Sequence, residues 1–286
     1  MISVVIPLYN KEERIAFALS SVLEQRGDIE IIVVDDGSTD DSFKVVESIN
    51  DNRIKLMRQP NGGPSKARNT GAKAATGDWV FFLDADDELL PGALEIFLKF
   101  VCKYPKEKCF AANFYSVKDN RRRIFSPFYY EKVISRPHWA WDFCGLFPRT
   151  GALLIHKSVA NEFQFDEKLR RYEDAEWLFR IMQQYNFVRI PDPVMLYNND
   201  SLAASVKRKN INEDYLGHLK LNDGTWGERL AIFQLYNQAK CLYPEDVKLL
   251  YSHQLKFIPL IILSILYIIS KMFRKIIRLS ARFMVM

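Results

Sequence analysis

Four short apolar runs alternate with segments of helical spacing over the first 83 residues, and this alternation constrains the fold more than any other feature. The runs are rich in β-branched and aromatic residues and end at polar or Gly-containing turns, so they predict strands at residues 2–6, 29–34, 54–57 and 80–83. The intervening segments predict helices at residues 12–23, 42–49 and 65–75. Strands that alternate with helices indicate an α/β fold with a parallel sheet and right-handed crossovers.

The fourth apolar run stops abruptly at three carboxylates. Asp84, Asp86 and Asp87 lie within four residues after Leu83. Negative charge at the end of a buried strand is unfavourable unless hydrogen bonds or a cation compensate it. Hard divalent ions such as Mg²⁺ or Mn²⁺ accept carboxylate and phosphate oxygens as ligands, so the cluster predicts a metal site. The alternative is a polar turn that caps the helix predicted near Pro91.

Polar clusters follow three of the four predicted strands, at residues 7–10, 35–38 and 84–86. The carboxyl ends of parallel strands meet at one edge of a sheet, and ligands of such sheets bind outside that edge. Short turns also fall there, but three clusters at one edge together predict a ligand site.

The middle of the chain, from about residue 109 to 197, is less regular and rich in aromatic residues. One aromatic group precedes Gly151 and consists of His138, Trp139, Trp141 and Phe143. Such residues either fill a core or line a groove for a sugar or lipid. Further along, Glu173 and Asp174 lie at the start of a helix predicted from about Ala175. These acids either interact favourably with the helix dipole or have a chemical role.

The net charge of +5 comes from the end of the chain. No Asp or Glu follows Asp246, whereas seven cations do: Lys248, Lys256, Lys271, Arg274, Lys275, Arg278 and Arg282. The rest of the chain is therefore slightly acidic, so we expect no nucleic-acid partner.

The four cysteines lack zinc-type spacing and suggest no disulfide framework. No secretory signal is recognised before the first strand, so we expect the catalytic part in the cytoplasm.

The basic end of the chain predicts a membrane-associating tail. Residues 257–270 carry no charge, but this uncharged segment is shorter than the ~20 apolar residues that a spanning helix needs. The cations after residue 270 recur at spacings of three and four and leave an apolar face, as in a helix that lies on an anionic membrane surface. A helix packed on the main domain, a re-entrant segment and a single span remain alternatives. Residues 202–246 also have a mostly helical pattern.

Four motifs, in order along the chain, resemble those of the family 2 glycosyltransferases. They are VVIPLYN at 4–10, IIVVDDGSTD at 31–40, NGGPSKARNTG at 61–71 and FLDADD at 82–87. The Glu-Asp pair within residues 170–177 is similar to the acceptor-side motif of that family. The resemblance covers about residues 1–200. It implies a GT-A (Rossmann-like) fold, a mixed and mostly parallel sheet flanked by helices, and an inverting, metal-dependent transfer of sugar from a nucleotide-sugar.

The resemblance implies roles for five residues around the nucleotide. Pro7, Tyr9 and Glu12 would line the pocket of the base and ribose. Asp36 would accept a hydrogen bond from the base, which the resemblance suggests is the N3–H of uracil. Arg68 would approach the base or the diphosphate.

The resemblance also implies the reacting groups. Asp84 would lie near the ribose and metal, and Asp86 would ligate Mn²⁺ or Mg²⁺ directly. Asp174 would be the general base, with Glu173 as the weaker candidate. These roles agree with the chemistry, because a divalent cation stabilises a diphosphate leaving group and inversion requires only one carboxylate to deprotonate the acceptor hydroxyl.

Two departures from the family pattern refine the expected activity. Residues 197–201 lack the His that many relatives carry there, which bears on stabilisation of the leaving group. The Q-x-x-R-W motif of processive synthases is also missing, which favours transfer of a single sugar.

The alternatives to a glycosyltransferase are a membrane-associated pseudoenzyme that binds nucleotide-sugar without turnover, and a sugar nucleotidyltransferase. The latter would carry a Gly-rich, Arg-containing loop after the first strand, which this sequence lacks.

The expected organisation has three parts. Residues 1–100 form the nucleotide-sugar half of the GT-A domain, residues 101–215 the acceptor half, and residues 216–286 a helical C-terminal extension with the basic tail. We expect a UDP-sugar donor and a glycan acceptor, lipid-linked, in the synthesis of a cell-surface polysaccharide. The tail predicts a peripheral location on the inner face of the cell membrane.

Overall fold

The computed structural model describes residues 1–119, 121–125, 130–135, 149–198 and 214–218. It also describes seven single residues: Arg229, Ile232, Phe233, Leu235, Ile268, Ile269 and Met272. The aromatic group at 138–143 and most of the C-terminal extension lie outside the described residues, so their predicted roles stay predictions. Within the described part of the chain, no helix combines the length and the apolar character that crossing a membrane requires.

Strands and helices alternate over the first hundred residues, close to the predicted positions. The strands are β1 Ile2–Leu8, β2 Ile29–Asp35, β3 Ile54–Arg58, β4 Trp79–Phe82, β5 Glu88–Leu89, β6 Cys109–Lys118, β7 Arg121–Ile124, β8 Lys132–Ile134, β9 Leu153–His156 and β10 Phe187–Asn198. The helices are α1 Ile15–Leu23, α2 Ser42–Glu47, α3 Pro64–Ala74, α4 Ala93–Lys103, α5 Lys157–Glu162, α6 Glu173–Met182 and α7 Tyr215–His218, and a 3₁₀ turn spans Thr150–Ala152.

The described strands form a single sheet in the order β3-β2-β1-β4-β9-β6-β10-β5, with β7 beside β6 and β8 beside β10. The four strands of the first half are parallel to one another, and β10 is parallel to β6. Strand β9 runs antiparallel to both of its neighbours, β4 and β6. The predicted mixed, mostly parallel sheet flanked by helices is therefore confirmed.

The reversed direction of β9 determines what meets at the carboxyl edge of the sheet. Leu154 pairs with Phe81 of β4, so β9 begins where β4 ends. The chain that enters β9, from Arg149 through the 3₁₀ turn, therefore lies at the same edge as the carboxyl ends of β1, β2, β4 and β10.

Helices cover both faces of the sheet, because successive side chains of β1 point to opposite sides. Val4 and Ile6 are buried in one core with residues of α1 and α4, whereas Val5 is buried in the other with residues of α3 and α6. Complete burial of such a side chain contributes about 1.5–3 kcal/mol. On the α3 side the packing requires Gly71, where a Cβ atom would lie 2.3 Å from Val5 Cγ1.

The structure differs from the sequence prediction in two regions. A short strand, Glu88–Leu89, pairs antiparallel with Met195 and Leu196 of β10 where a turn leading into a helix was expected. The region predicted as less regular contains the two long strands β6 and β10, which have ten and twelve residues. Pro191 and Pro193 lie inside β10, at register shifts that accommodate their missing N–H donors.

Candidate functional site

The acidic turn after β4 is fixed by hydrogen bonds on both sides. The backbone N–H of Asp87 donates to the Asp84 carbonyl over 3.0 Å. The Asp87 carboxylate is only 2% exposed and accepts a 2.9 Å hydrogen bond from the backbone N–H of Asn198, at the end of β10. The turn therefore holds its carboxylates at the carboxyl edge of the sheet, as the sequence predicted.

Arg68 connects this acidic turn to the start of α6. The guanidinium donates from Nη2 to Asp84 Oδ1 over 2.9 Å and from Nη1 to Glu173 Oε1 over 3.1 Å. Its side chain is 6% exposed, so the guanidinium is shielded from water, as is Glu173, whereas the Asp84 side chain is 34% exposed. The structure thereby brings together three residues that the sequence placed in separate motifs.

The first turn of α6 presents two acids with different partners. Helix α6 follows Tyr172, whose φ of 57° is rarely adopted by a residue with a side chain. Glu173 is held by Arg68, whereas Asp174 accepts a 2.8 Å bond at Oδ1 from the N–H of Ala175. Asp174 Oδ2 lies 3.8 Å from Arg149 Nη1. Of the two acids, Asp174 directs an oxygen toward the cation at the sheet edge.

Lys11 forms an ion pair with the carboxylate of Asp86. Its Nζ lies 2.6 Å from Asp86 Oδ2. The loop that carries Lys11 is fixed by the Asn10 backbone, which has a φ of 50°, and by bonds from the N–H groups of Asn10 and Lys11 to Ser38 Oγ and Ser42 Oγ. Asp86, the residue expected to ligate the metal, is therefore paired with a cation that belongs to the chain itself.

The carboxylates of the site repel one another. Burial, together with the charges of Asp84 and Asp86, raises the pKa of Asp87 well above its usual range. Burial and Asp174 likewise raise the pKa of Glu173, although Arg68 opposes the shift. A cation bound beside these acids would favour their ionised forms and so would oppose both shifts.

The donor set fits a divalent ion that shares its ligands with a substrate. Asp84 and Asp86 supply carboxylate oxygens, the ligands that Mg²⁺ and Mn²⁺ prefer. Among the described residues, no group of three or more His, Cys, Asp or Glu side chains is arranged to hold a metal by itself. A cation here would therefore take its other ligands from phosphate oxygens and water, which is usual for Mg²⁺.

The residues expected around the nucleotide lie at the ends of β1 and β2. Tyr9 is 43% exposed, and Pro7 pairs with Val34 across the two strands. Asp36 is buried and accepts three hydrogen bonds, at Oδ1 from Gln59 Nε2 and the Gly62 N–H, and at Oδ2 from the Gly63 N–H. These bonds position the loop before α3 and leave one lone pair on Oδ2.

Glu12 has a structural contact in addition to its expected place near the ribose. Its Oε2 accepts a 2.8 Å bond from the N–H of Asp41, which precedes α2. A polar cavity of about 320 Å³ opens beside it, lined by Asn10, Lys11, Glu12, Glu13, Arg14, Asp40 and Asn198. This cavity joins the loop after β1 to the end of β10.

Sequence reasoning missed Lys11 and Arg149. Lys11 directly follows the first motif, and its position after a strand end was a signal that it could reach the acidic turn. Arg149 carried no comparable signal, because only the antiparallel pairing of β9 brings it to this edge.

The mixed sheet, with an acidic turn after β4 and a Glu-Asp pair facing it across Arg68, defines a GT-A-type glycosyltransferase domain. S. aureus TarS residues 1–349, solved in complex with UDP-GlcNAc, has the same fold. Its TM-score is 0.68 at 20% identity, and the alignment covers 90% of this chain and 76% of the TarS chain.

Sequence comparison identifies the family. The model of Glycosyl transferase family 2 matches residues 3–160, more than half of the chain, so the chain belongs to this family. The glycosyltransferase GlyG of Streptococcus pneumoniae serotype 4 is 28% identical over 216 residues, which are 70% of this chain and 71% of GlyG. The minor teichoic acid biosynthesis protein GgaA of Bacillus subtilis is 39% identical over 111 residues, which are 36% of this chain and 25% of GgaA. The chain spans 20% of the length of GlyA from S. pneumoniae and 26% of EpsJ from B. subtilis.

Proposed function

We propose that this chain is an inverting glycosyltransferase that transfers a single sugar from a UDP-sugar to a hydroxyl group of a glycan acceptor. The observation that carries the proposal is the double ion pair of Arg68, which joins Asp84 to Glu173 and so brings the acidic turn next to Asp174. A donor held at the turn would have its anomeric carbon within reach of an acceptor that Asp174 activates.

Asp174 is the general base in this proposal. Its Oδ2 is directed toward the edge of the sheet, whereas Glu173 is engaged by a buried guanidinium. Asp174 accepts the proton of the acceptor hydroxyl as the oxygen attacks the anomeric carbon from the face opposite the diphosphate. One displacement inverts the configuration, and no covalent intermediate is needed.

Asp84 and Asp86 would hold a Mn²⁺ or Mg²⁺ ion together with the diphosphate. The bound ion supplies electrostatic stabilisation of the charge that develops on the leaving diphosphate. Asp86 would exchange Lys11 for the ion, while Asp84 stays oriented by Arg68. The turn after β4, which is hydrogen-bonded to the end of β10, supplies these carboxylates without a rearrangement of the sheet.

Two observations favour a UDP-sugar as the donor. TarS, which shares the fold, was solved with UDP-GlcNAc. In this chain, the remaining lone pair on Asp36 Oδ2 suits an imide N–H such as that of uracil. Pro7, Tyr9 and Glu12 would line the base and ribose pocket, with the exposed Tyr9 ring available to stack against the base.

The acceptor is proposed to be a lipid-linked glycan in the synthesis of a cell-surface polymer. The name of GgaA, a relative over about a third of this chain, supports a cell-surface pathway. The tail supports a lipid-linked acceptor. Ile268, Ile269 and Met272 are each more than half exposed, and their spacing puts them on one face of a helix. Such a face would bind the inner surface of the cell membrane.

The three-part organisation is likewise proposed. Residues 1–100 would bind the nucleotide-sugar and residues 101–215 the acceptor, and residues 216–286 would form a helical extension with a membrane-associating tail. In this division, the ion pair between Arg68 and Glu173 joins the donor half to the acceptor half.

The test is the release of nucleoside diphosphate from a panel of UDP-, GDP- and dTDP-sugars, with Mn²⁺ and then with EDTA. We expect release from a UDP-sugar that requires the metal and increases when lipid-linked acceptors are added. Release of pyrophosphate from a sugar phosphate and UTP would instead indicate a nucleotidyltransferase. Binding of a UDP-sugar without release under any acceptor would indicate a pseudoenzyme.

A further inference from the structure

The hairpin formed by β6 and β7 carries a concentrated positive charge that the proposed reaction does not use. Residues 118–123 contain only one acid, Asp119, beside four cations. These cations, here called the basic hairpin, are all exposed: Lys118, Arg121, Arg122 and Arg123. Within the described part of the chain, none of the four side chains forms an ion pair. The charge of the basic hairpin is therefore available to a ligand that carries the opposite charge.

The basic hairpin lies at the same edge of the sheet as the acidic turn. Val117 of β6 pairs with Asn198 of β10, and the N–H of Asn198 donates to the Asp87 carboxylate. Strand β7 lies on the other side of β6, where Arg122 pairs with Val117. Because neighbouring strands are about 4.8 Å apart, the backbone of Arg122 lies about 10 Å from that of Asn198. The basic hairpin therefore borders the site on the half of the chain that is proposed to bind the acceptor.

The base of this hairpin is anchored by aromatic packing. Phe114, which is buried, stacks on Phe125 with the ring centroids 4.4 Å apart. Tyr197, near the end of β10, meets the Phe114 ring edge-on at 6.0 Å. The charged end of the hairpin thus projects from a packed base, so a ligand that binds there needs to order little backbone.

The arrangement of the charges is unfavourable unless an anion binds to them. Lys118 pairs with Arg121 across the two strands, and like charges at directly opposed positions destabilise a sheet. Alternate residues of a strand point to the same side, so Arg123 extends this face about 6–7 Å further along β7. Natural sequences break such local rules mainly at functional sites. Opposed cations beside the site therefore indicate a surface for an anionic ligand.

We infer that the basic hairpin binds phosphate groups carried along the acceptor glycan. The inference rests on the proposed function and names the chemical class of its acceptor. A guanidinium donates two parallel hydrogen bonds to a phosphate, so a row of arginines suits this ligand better than a neutral sugar. The acidic turn and its ion account for the donor diphosphate, and the tail accounts for the membrane. A row of cations along a strand matches successive charges of one chain.

The test compares the full-length wild type with two triple variants that lose the same charge. The hairpin variant combines Arg121→Gln, Arg122→Gln and Arg123→Gln. The matched control variant replaces three exposed cations toward the opposite edge of the sheet, before β2, early in β3 and late in α3. Its substitutions are Arg26→Gln, Lys55→Gln and Lys73→Gln. Both variants should bind UDP as the wild type does, which shows that they are folded.

Fluorescence anisotropy measures the binding of a labelled oligomer of glycerol phosphate, whose units are joined by phosphodiester bonds. At low salt we expect the hairpin variant to bind this oligomer about tenfold more weakly than the wild type, because three charge pairs are lost. The control variant should bind within about twofold of the wild type. The difference should fade in about 1 M salt, where the screening length is about 3 Å.

Vesicles of phosphatidylglycerol and phosphatidylcholine test a membrane surface as the alternative partner. Both variants should sediment with them equally, because the tail is proposed to make that contact. A hairpin variant that loses vesicle binding as much as oligomer binding overturns the inference in favour of anionic lipid.

Two further results would overturn the inference and leave the proposed transferase intact. They are equal oligomer binding by the wild type and the hairpin variant, and no oligomer binding by a wild type that binds UDP. A wild type that binds no UDP would instead overturn the proposed function on which the inference rests.

Discussion

Arg68 Nη1 donates a 3.1 Å hydrogen bond to Glu173 Oε1 across 105 residues of sequence. The same guanidinium also bonds Asp84, so a single side chain fixes the distance between the acidic turn and the first turn of α6. Because Asp174 is the next residue along α6, this contact also positions Asp174. The ion pairs of Arg68 therefore determine both the stability of the site and its geometry.

Replacing Arg68 by Met should destabilise the protein by about 3–5 kcal/mol, because it leaves Glu173 and Asp84 as buried or partly buried charges without a partner. Urea unfolding followed by circular dichroism measures this loss. Arg53→Met, which breaks a more exposed pair with Asp51, is the control and should be destabilised far less, because exposed ion pairs contribute little to stability. Equal losses in the two variants would contradict the account.

Asp86→Asn should weaken Mn²⁺ binding in the presence of UDP by at least about tenfold, because it removes one charged ligand of the ion. The free Mn²⁺ signal in electron paramagnetic resonance measures this binding directly. The control is Asp78→Asn, which changes an acid that is 75% exposed and lies before β4, at the other edge of the sheet. Unchanged Mn²⁺ affinity in Asp86→Asn would show that the ion binds elsewhere.

Lys11→Met should have the opposite effect on the metal. The ammonium group of Lys11 competes for Asp86 at 2.6 Å, so its removal should raise Mn²⁺ affinity by about fivefold, the equivalent of about 1 kcal/mol. The same resonance titration, performed without nucleotide, measures the change. Weaker binding in Lys11→Met would mean that Lys11 does not compete with the ion.

Glu30 gives the stability of the protein a defined pH dependence. Burial alone would raise its pKa, but bonds from Ser3, Thr76 and Gly77 hold the pKa below its usual value. A lowered carboxyl pKa stabilises the fold above the unfolded-state pKa of about 4.3, and this contribution is lost as the pH falls through the folded-state pKa.

Glu30→Gln should therefore be less stable than the wild type by about 1–3 kcal/mol at pH 7, the value of hydrogen bonds to a charged acceptor. The difference should shrink as the pH falls below about 4. Thermal or urea unfolding at several pH values measures both quantities. A difference that is constant between pH 7 and pH 3 would show that the carboxylate charge is not what these donors stabilise.

The first half of the fold was predictable because its signals are local. Strands β1 to β4 are continuous apolar runs, and each predicted boundary agrees with the structure to within about two residues. Their parallel arrangement then placed the acidic turn at the carboxyl edge of the sheet. Asp84 and Arg68 come together there, although their direct ion pair could not be inferred from spacing alone.

The second half depends on pairings that are distant in sequence. Strand β6 pairs with β10, whose Pro191 and Pro193 are unusual inside a strand, so the apolar pattern gave little indication of a long strand. The antiparallel insertion of β9 between β4 and β6 had no sequence signal, and Arg149 was missed with it. The side chains that complete the site are therefore those whose position depends on long-range strand order.

The most direct test of the account compares Asp174→Asn with Glu173→Gln in two assays, UDP binding by calorimetry and turnover of the UDP-sugar. We expect Asp174→Asn to bind UDP within about twofold of the wild type and to lose turnover by about 10²–10⁴-fold, because only the proton acceptor is removed. Glu173→Gln should retain most of the turnover, because its role is to hold Arg68. Full turnover in Asp174→Asn, or a deeper loss in Glu173→Gln, would contradict the assignment of Asp174 as the general base.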